Sequence, residues 1–367
     1  MTSNSKNTPI KIERYPSTHQ NNLQAWNAAD ELLIQYSQEL LHKNSQLSIY
    51  HDRFGYLNAH LAQYQIQNVL VFHSQKQALY QNLTNNEINP ENITNVSPLD
   101  QLNNRTDLAI MKMPKSVDLL EMYLQQLIPS LNTDAKVIIG FMTRHFSSKA
   151  WQLVAEYFEE CTQTKALKKA RLMILSKPKS FVKKELFHRI SFKENIILKQ
   201  YYGIFSAQKI DFATQFLLEH LTVKETDNKI LDLGCGNGII ALIAQQQNPK
   251  AELHLIDDHF LAIESAKLNF SSSPTTTFHF TSDLNHFEEN SFDLVVSNPP
   301  FHFEYENNIE ISLNLFQQVK RILKASASFI LVANRHLNYQ THLVKIFKQV
   351  EIVAQNDKFV IYRAHNE

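Results

Sequence analysis

The chain has 367 residues, 43% of them hydrophobic, with 36 basic and 36 acidic side chains that cancel at neutral pH. This length predicts two domains, and the balanced charge excludes a protein that coats nucleic acid through its overall field. The two cysteines, Cys161 and Cys235, exclude a disulfide framework or a four-cysteine zinc site, and no long apolar run suggests a membrane span. Met1 to Asn7 is polar and lacks the apolar core of a signal peptide, so a cytoplasmic location is expected.

In the first half, Leu47 to His51 predicts a strand that leads into Asp52-Arg53-Phe54-Gly55. Asn68 to Phe72 predicts a second strand. Asp107 to Met111 predicts a third, followed by Lys112-Met113-Pro114-Lys115 and a helix. From Lys165 to Lys199 eleven basic residues face only Glu185 and Glu194, which suits either a solvated linker or a phosphate-binding patch. The domain boundary is expected in this stretch, between about Pro178 and Asn195, dividing 1–185 from 186–367.

The second half alternates more clearly. Lys229 to Leu233 predicts a strand, Gly238 to Gln247 a helix, and Glu252 to Ile256 a second strand. His259 to Asn269 follows as a helix, then Thr277 to Thr281 and Phe292 to Ser297 as strands. Ile309 to Leu323 predicts a long helix and Ser328 to Ala333 a further strand. Such alternation implies a parallel sheet with helices on both faces and a ligand site beyond the carboxyl ends of the strands. The first half is a fainter copy: Asp232 lies 180 residues after Asp52, and Pro299 lies 185 after Pro114. It keeps one glycine where the second half has three, which is the pattern of a fold retained after its small-molecule site is lost.

Two motifs carry the chemistry. Gly234, Gly236 and Gly238 sit between a strand and a helix, where glycine lets backbone approach a ligand closely. Asp232 precedes them and can take an ammonium or hydroxyl group. Asp257, at the end of the next strand, can accept both ribose hydroxyls, and Asp283 after the third can reach an adenine amino group. The second motif is Ser297-Asn298-Pro299-Pro300-Phe301-His302. Each proline fixes φ and removes a donor, so carbonyls project as unpaired acceptors beside the Asn298 amide and the flat Phe301 ring. That combination suits a planar group bearing an NH2, a nucleobase or a primary amide.

Asp232-Leu233-Gly234-Cys235-Gly236-Asn237-Gly238 together with Asn298-Pro299-Pro300-Phe301-His302 resembles the class I S-adenosylmethionine-dependent rRNA guanine-N2 methyltransferases, the RlmG/RsmC family. Leu23 to Asp30, Phe205-Ser206, Val332 to Leu337 and Asn356 to Val360 extend the resemblance over nearly the whole chain, and the first of these favours the large-subunit branch. The resemblance implies two tandem Rossmann-like α/β methyltransferase domains, the N-terminal one degenerate and serving to bind and position RNA. It also implies methyl transfer from S-adenosylmethionine to the exocyclic N2 of a guanine in 23S rRNA.

Asn298, Pro299, Pro300 and Phe301 are the expected catalytic residues. Asp232, Gly234, Gly236, Gly238, Asp257, Asp283, Ser206 and Asp211 are the expected cofactor contacts. The family's usual arginine and glycine after Phe-Ser are replaced in Ala207-Gln208-Lys209-Ile210-Asp211, although Asp211 is kept. His302, Arg335 and His336 are candidate RNA contacts, with 23S rRNA the expected partner and the chain a monomer. No histidine pattern suggests a metal. The alternatives are a 16S rRNA guanine-N2 methyltransferase, a protein-glutamine N5-methyltransferase, an adenine-N6 DNA methyltransferase and a non-catalytic RNA-binding factor. Phe301, where the glutamine enzymes carry tyrosine, and the sheet-like first half argue against the second of these.

Overall fold

Apolar residues on successive strand positions face opposite sides of a sheet, so a strand buried on both faces reads as a continuous apolar run. Phe292–Ser297 is such a strand: Leu294 and Val296 enter one hydrophobic core, and Val295 enters the other. The computed structural model describes residues 9–17, 23–103, 105–193, 195–206, 208–270, 275–299 and 309–366. The chain divides into two compact units, Met1–Glu185 and Leu186–Glu367.

The first unit contains strands β1 (Gln46–Tyr50), β2 (Gln65–Val69), β3 (Ile93–Val96), β4 (Thr106–Lys112), β5 (Leu131–Met142), β6 (Phe158–Gln163) and β7 (Ala170–Pro178). Its helices are α1 (Ala28–Gln38), α2 (Tyr56–Leu61), α3 (His73–Asn85), α4 (Val117–Leu127) and α5 (Ser148–Tyr157). The sheet order is β3-β2-β1-β4-β5-β7-β6, with only β7 running opposite to the rest.

The second unit opens with a separate hairpin, β8 (Phe187–Phe192) and β9 (Ile196–Tyr201), followed by α6 (Phe212–His220). Next come β10 (Lys229–Leu233), α7 (Ile239–Gln247), β11 (Glu252–Asp257), α8 (Phe260–Asn269), β12 (Thr276–Phe280) and β13 (Phe292–Ser297). The unit closes with α9 (Ile309–Ile322), β14 (Leu323–Asn334), α10 (Gln340–Ile346), β15 (Gln349–Gln355) and β16 (Phe359–His365). Its order, β12-β11-β10-β13-β14-β16-β15, repeats that of the first unit strand for strand. The chain runs outward from β10 and returns to place β13 beside it, so the strand order reverses between those two, where such sheets open a ligand crevice.

Several elements differ from expectation. β2 lies three residues earlier than the apolar run Asn68 to Phe72, because Phe72 already caps α3. The β8–β9 hairpin occupies sequence that reads as linker. Of its apolar side chains only Ile190 and Leu198 are deeply buried, and the hairpin is held by β9 bonding to α8: Lys199 exchanges two hydrogen bonds with Asn269, and the Tyr201 amide donates to Ser265 Oγ.

One polar chain runs across the outer strands of the second unit. His254 Nε2 meets Glu252 at 2.8 Å, His254 Nδ1 meets His279 Nε2 at 2.9 Å, and His279 Nδ1 meets His286 Nε2 at 3.2 Å. The carboxylate fixes the proton of His254 on Nε2, so each following imidazole donates from Nε2 and accepts at Nδ1. Burial, then the neighbouring His254, His286 and Lys229, pushes His279 down to about 4, and burial also lowers His254 and His286. Unfolded histidine titrates near 6.5, so the unfolded state binds more protons below that pH. The His279 contribution is therefore complete above about 6.5 and is lost as pH falls toward 4. The melting-temperature advantage of the native chain over a His279→Gln variant should shrink between about pH 7 and pH 5. Carboxylates present in both proteins cancel in that difference, and an advantage constant with pH refutes the assignment.

Candidate active site

The carboxyl ends of β10, β11, β12 and β13 lie on one edge, with Leu233 level with Ile256 and Ser297 in the strand register. Ser297 Oγ donates to the Leu233 carbonyl at 2.7 Å, which ties the end of β13 to the start of the glycine turn. The turn itself is built on β11: the amides of Gly234 and Cys235 both donate to the Ile256 carbonyl, at 2.9 and 3.0 Å. Gly238 starts α7 at φ +84°, and a Cβ there would lie 2.9 Å from the Phe270 ring. Gly236 is also left-handed, at φ +55°, but its would-be Cβ meets nothing within 4 Å. Gly238 is thus required by packing, whereas Gly236 faces open space of the kind a ligand fills.

Asp232 is buried at the end of β10, and its Oδ2 accepts from the Ala241 amide at 3.0 Å. Its Oδ1 has no hydrogen-bond partner among the described residues. A buried acceptor without a donor is costly, and it marks where a ligand donor fits. Burial, with some help from the charge on Asp257, pushes Asp232 up to about 7. Asp257 is half-buried and stands at the end of β11. Its Oδ2 accepts from the Gly236 amide at 3.0 Å and its Oδ1 from the His259 amide at 2.8 Å. Burial raises Asp257 to about 6 against the opposing effect of those two bonds. Each oxygen keeps a lone pair, so the pair of acceptors suits a diol without being idle in its absence.

Asp211 caps α6, accepting from the amides of Ala213 and Thr214 at 2.9 and 3.3 Å. The Asn298 amide nitrogen donates to the same Asp211 oxygen at 3.3 Å and to Thr214 Oγ1 at 2.8 Å. A carboxylate can only accept, so the nitrogen of Asn298 must face it, and the Oδ1 acceptor is turned the other way. Asp211 therefore acts on Asn298 rather than as an isolated cofactor contact. Thr214, which sequence reasoning missed, completes the grip; its only signal is its place three residues after Asp211 on the first helical turn. Pro299 is buried directly behind Asn298. Pro300, Phe301 and His302 lie outside the described residues, as does Ala207.

Two of the expected contacts also hold their own turns. The Ser206 hydroxyl donates to the Lys209 carbonyl at 2.6 Å and so holds its own loop, at φ +60°. Its carbonyl, with that of Phe205, accepts from Gln200, and Gln200 Oε1 in turn accepts from Asn237 in the glycine turn at 2.8 Å. Gln200 and Asn237 thus link the Phe205-Ser206 loop to the turn, a connection with no motif in the sequence. Asp283 Oδ1 accepts from the Asn285 amide at 2.9 Å and shapes a turn, which leaves Oδ2 for an outside donor. Burial pushes the Cys235 thiol well above its usual range, so it is no nucleophile. Arg335 and His336 stand exposed just past β14, beside Lys358. No group of three or more His, Cys, Asp or Glu side chains among the described residues can hold a metal, and none of their helices is long and apolar enough to cross a membrane.

The equivalent corner of the first unit is closed. Gly55 starts α2 in the same left-handed conformation, and Asp52 accepts from the amide of Asn58, three residues beyond it, as Asp232 does from Ala241. The turn is three residues shorter, and side chains fill it: Asn58 Nδ2 bonds Asp52 and Asn68, while Gln75 bonds the carbonyls of Asp52 and Val69.

A doubly wound sheet with an acidic, glycine-lined crevice and an Asn-Pro-Pro edge defines a methyltransferase-type domain, and residues 195–363 match the family described as the Methyltransferase small domain. Residues 1–180 match the RLMG N-terminal domain. The chain is 33% identical to ribosomal RNA large subunit methyltransferase G of Photobacterium profundum over 364 residues, covering 97% of this chain and 96% of that protein. The same-named protein of Psychromonas ingrahamii is 31% identical, with 97% and 96% covered. The chain belongs to the ribosomal RNA large subunit methyltransferase G family. The fold matches a T. thermophilus 16S rRNA N2 G1207 methyltransferase (RsmC), solved with AdoMet and guanosine, at a TM-score of 0.76 and 18% identity, covering 93% of this chain and 92% of that one.

Three results are expected at this site. Gly238→Ala should destabilise the chain by about 1–3 kcal/mol in chemical denaturation through overpacking against Phe270 and Leu255. Gly236→Ala should cost only the strain of a left-handed alanine, about 1–2 kcal/mol, with no overpacking, yet lose cofactor affinity at least tenfold by calorimetry. Unchanged affinity means that the ligand does not pass over Gly236. Because Asp232 and Asp257 must ionise to accept from a ligand, cofactor affinity should rise from about pH 5 and level off above about pH 7. A flat profile over that range excludes both carboxylates as ligands.

Proposed function

We propose that this chain transfers a methyl group from S-adenosylmethionine to the exocyclic N2 of a guanine in 23S rRNA. The observation that carries the reading is the Asn298 amide, fixed by Asp211 and Thr214 so that its carbonyl is the free acceptor beside the glycine turn. Methyltransferase chemistry is supported by the family. The large ribosomal subunit as target is supported by the relatives' names and by the match of residues 1–180 to the RLMG N-terminal domain.

Asp232 and the open face of Gly236 suit the amino-acid end and backbone of the cofactor, and Asp257 suits its ribose hydroxyls, with Asp283 Oδ2 toward the base. When bound, the cofactor supplies an electrophilic methyl on a sulfonium that is already a good leaving group. The chain's own task is orientation. A guanine N2 lone pair is delocalised into the ring, and acceptors at Asn298 Oδ1 and the Pro299 carbonyl engage its two N–H bonds and turn the lone pair outward. These acceptors also favour the positive charge that develops on nitrogen, after which an N–H proton leaves to them or to water. Phe301 would stack on the base, worth about 1–3 kcal/mol. A paired guanine must be flipped or presented unpaired to reach this edge. The first unit, with its corner filled by Asn58 and Gln75, serves as an RNA-handling domain rather than a second cofactor site. A cytoplasmic location and a monomer complete the proposal.

Labelled methyl from S-adenosylmethionine should appear as N2-methylguanosine in large-subunit rRNA that lacks the modification. Label in release-factor protein, in small-subunit RNA or in N6-methyladenine overturns the reading. Asn298→Ala should lower kcat by about 10²–10³-fold with cofactor affinity kept. Thr214→Val, which removes one of two bonds holding the amide, should cost on the order of tenfold.

A further inference from the structure

The turn between β6 and β7 carries two lysines in a conformation that suits neither. Lys168 and Lys169 lie at φ +47° and +64°, and they close a two-residue hairpin in which Leu167 and Ala170 exchange both backbone hydrogen bonds, at 2.9 and 2.8 Å. Consecutive left-handed residues define a type I′ turn, which Asn-Gly occupies at lower cost than any pair of long side chains. The lysines are thus held where the backbone would favour other residues, and both are exposed.

Their neighbours are of the same kind. The Lys169 carbonyl accepts from the Thr143 amide at 2.8 Å, which places the turn against the segment Thr143–His145 that follows β5. Arg144 is exposed there, and its Nε donates to His145 Nε2 at 2.9 Å. The Phe146 ring follows at 45% exposure. Among the described residues Arg144 and Lys169 make no ion pair, and Lys168 makes an exposed one with Glu31 at 3.0 Å, of the kind that contributes little. The second unit has an Arg-His pair, Arg335-His336, just past the matching strand β14, but its hairpin turn is Asp357-Lys358, without left-handed residues and with its charges opposed.

We propose that the Lys168-Lys169 turn, with Arg144 and the exposed Phe146, is a contact site for the phosphate backbone and an unpaired base of the RNA substrate. The occupant follows from the chemistry: phosphates take the un-neutralised cations, and an exposed aromatic ring beside them takes a base face. A site for an acidic protein has no comparable use for Phe146. This site rests on the rRNA reading above and adds to it a named point of attachment on the unit whose small-molecule corner is filled.

The test replaces Lys168-Lys169 by Asn-Gly in the full chain, which removes the cations while relieving the turn. Binding to an rRNA fragment is followed by fluorescence anisotropy from about 50 to 200 mM salt. The Asn-Gly variant should melt no lower than the native chain. Its slope of log affinity against log salt should fall by about 1–2, and its KM for rRNA should rise several-fold at unchanged kcat and cofactor affinity. Arg144→Gln should lower the slope by about 1, and Phe146→Ala should weaken binding with the slope unchanged. An Asn-Gly variant that keeps the native slope and KM overturns the site. Loss of slope in a chain that methylates no rRNA would instead uphold the site and refute the proposed reaction.

Discussion

The candidate site depends on the direction of one amide. Asn298 stands at the end of a buried strand, where a side chain free to rotate would offer nitrogen and oxygen equally. Asp211 removes that freedom because its oxygen accepts from the amide nitrogen, and Thr214 fixes the second amide hydrogen. The same Asp211 oxygen caps α6, so the helix cannot form properly without placing the group that orients the amide. Ser297 contributes from the other side by tying its strand to the Leu233 carbonyl. A local folding device and a site-orienting device are thus one set of atoms, 87 residues apart in the chain.

The two units show how little separates a ligand corner from a filled one. Both have the same strand order, a left-handed glycine opening the helix, and a buried aspartate bonded to the amide three residues beyond that glycine. In the second unit the aspartate keeps an oxygen with no partner among the described residues, near open space at Gly236. In the first, the Asn58 side chain adds a second donor to the same Asp52 oxygen and Gln75 bonds the Asp52 backbone carbonyl, so side chains occupy the corner. The backbone is retained because its core is the sheet. The corner is filled because the turn is three residues shorter and amide side chains occupy it.

Much of this architecture was legible in the sequence. The apolar runs at Lys229–Leu233 and Phe292–Ser297 gave strands with matching ends, and three glycines among the six of the whole chain marked the turn between strand and helix. What stayed hidden has a physical reason. The β8–β9 hairpin is short, basic and half-exposed, and it exists through bonds to Asn269 and Ser265 that no periodicity announces. β15 and β16 alternate weakly because one lies at the sheet edge. Gln200, Asn237 and Thr214 act through hydrogen bonds between distant segments. Ser206 and Asp283 stand where the motif puts them, but their side chains also serve their own turns.

Zero net charge does not exclude a polyanionic substrate. At physiological salt a charge is felt over roughly 8 Å, so binding depends on which cations lack a nearby carboxylate rather than on the total. The basic stretch from Lys165 to Lys199 illustrates the difference. Lys177 and Lys184 are paired with Glu160 and Glu121, Lys179 bonds a backbone carbonyl, and Lys193 and Lys199 lie over phenylalanine rings. Counting residues along the stretch therefore overstates the field it presents. Arg144 follows β5 and Lys169 precedes β7, so their proximity is invisible in sequence, and among the described residues neither is ion-paired with a carboxylate. The field that a chain presents is set by such pairings across the fold, and sequence runs locate them only in part.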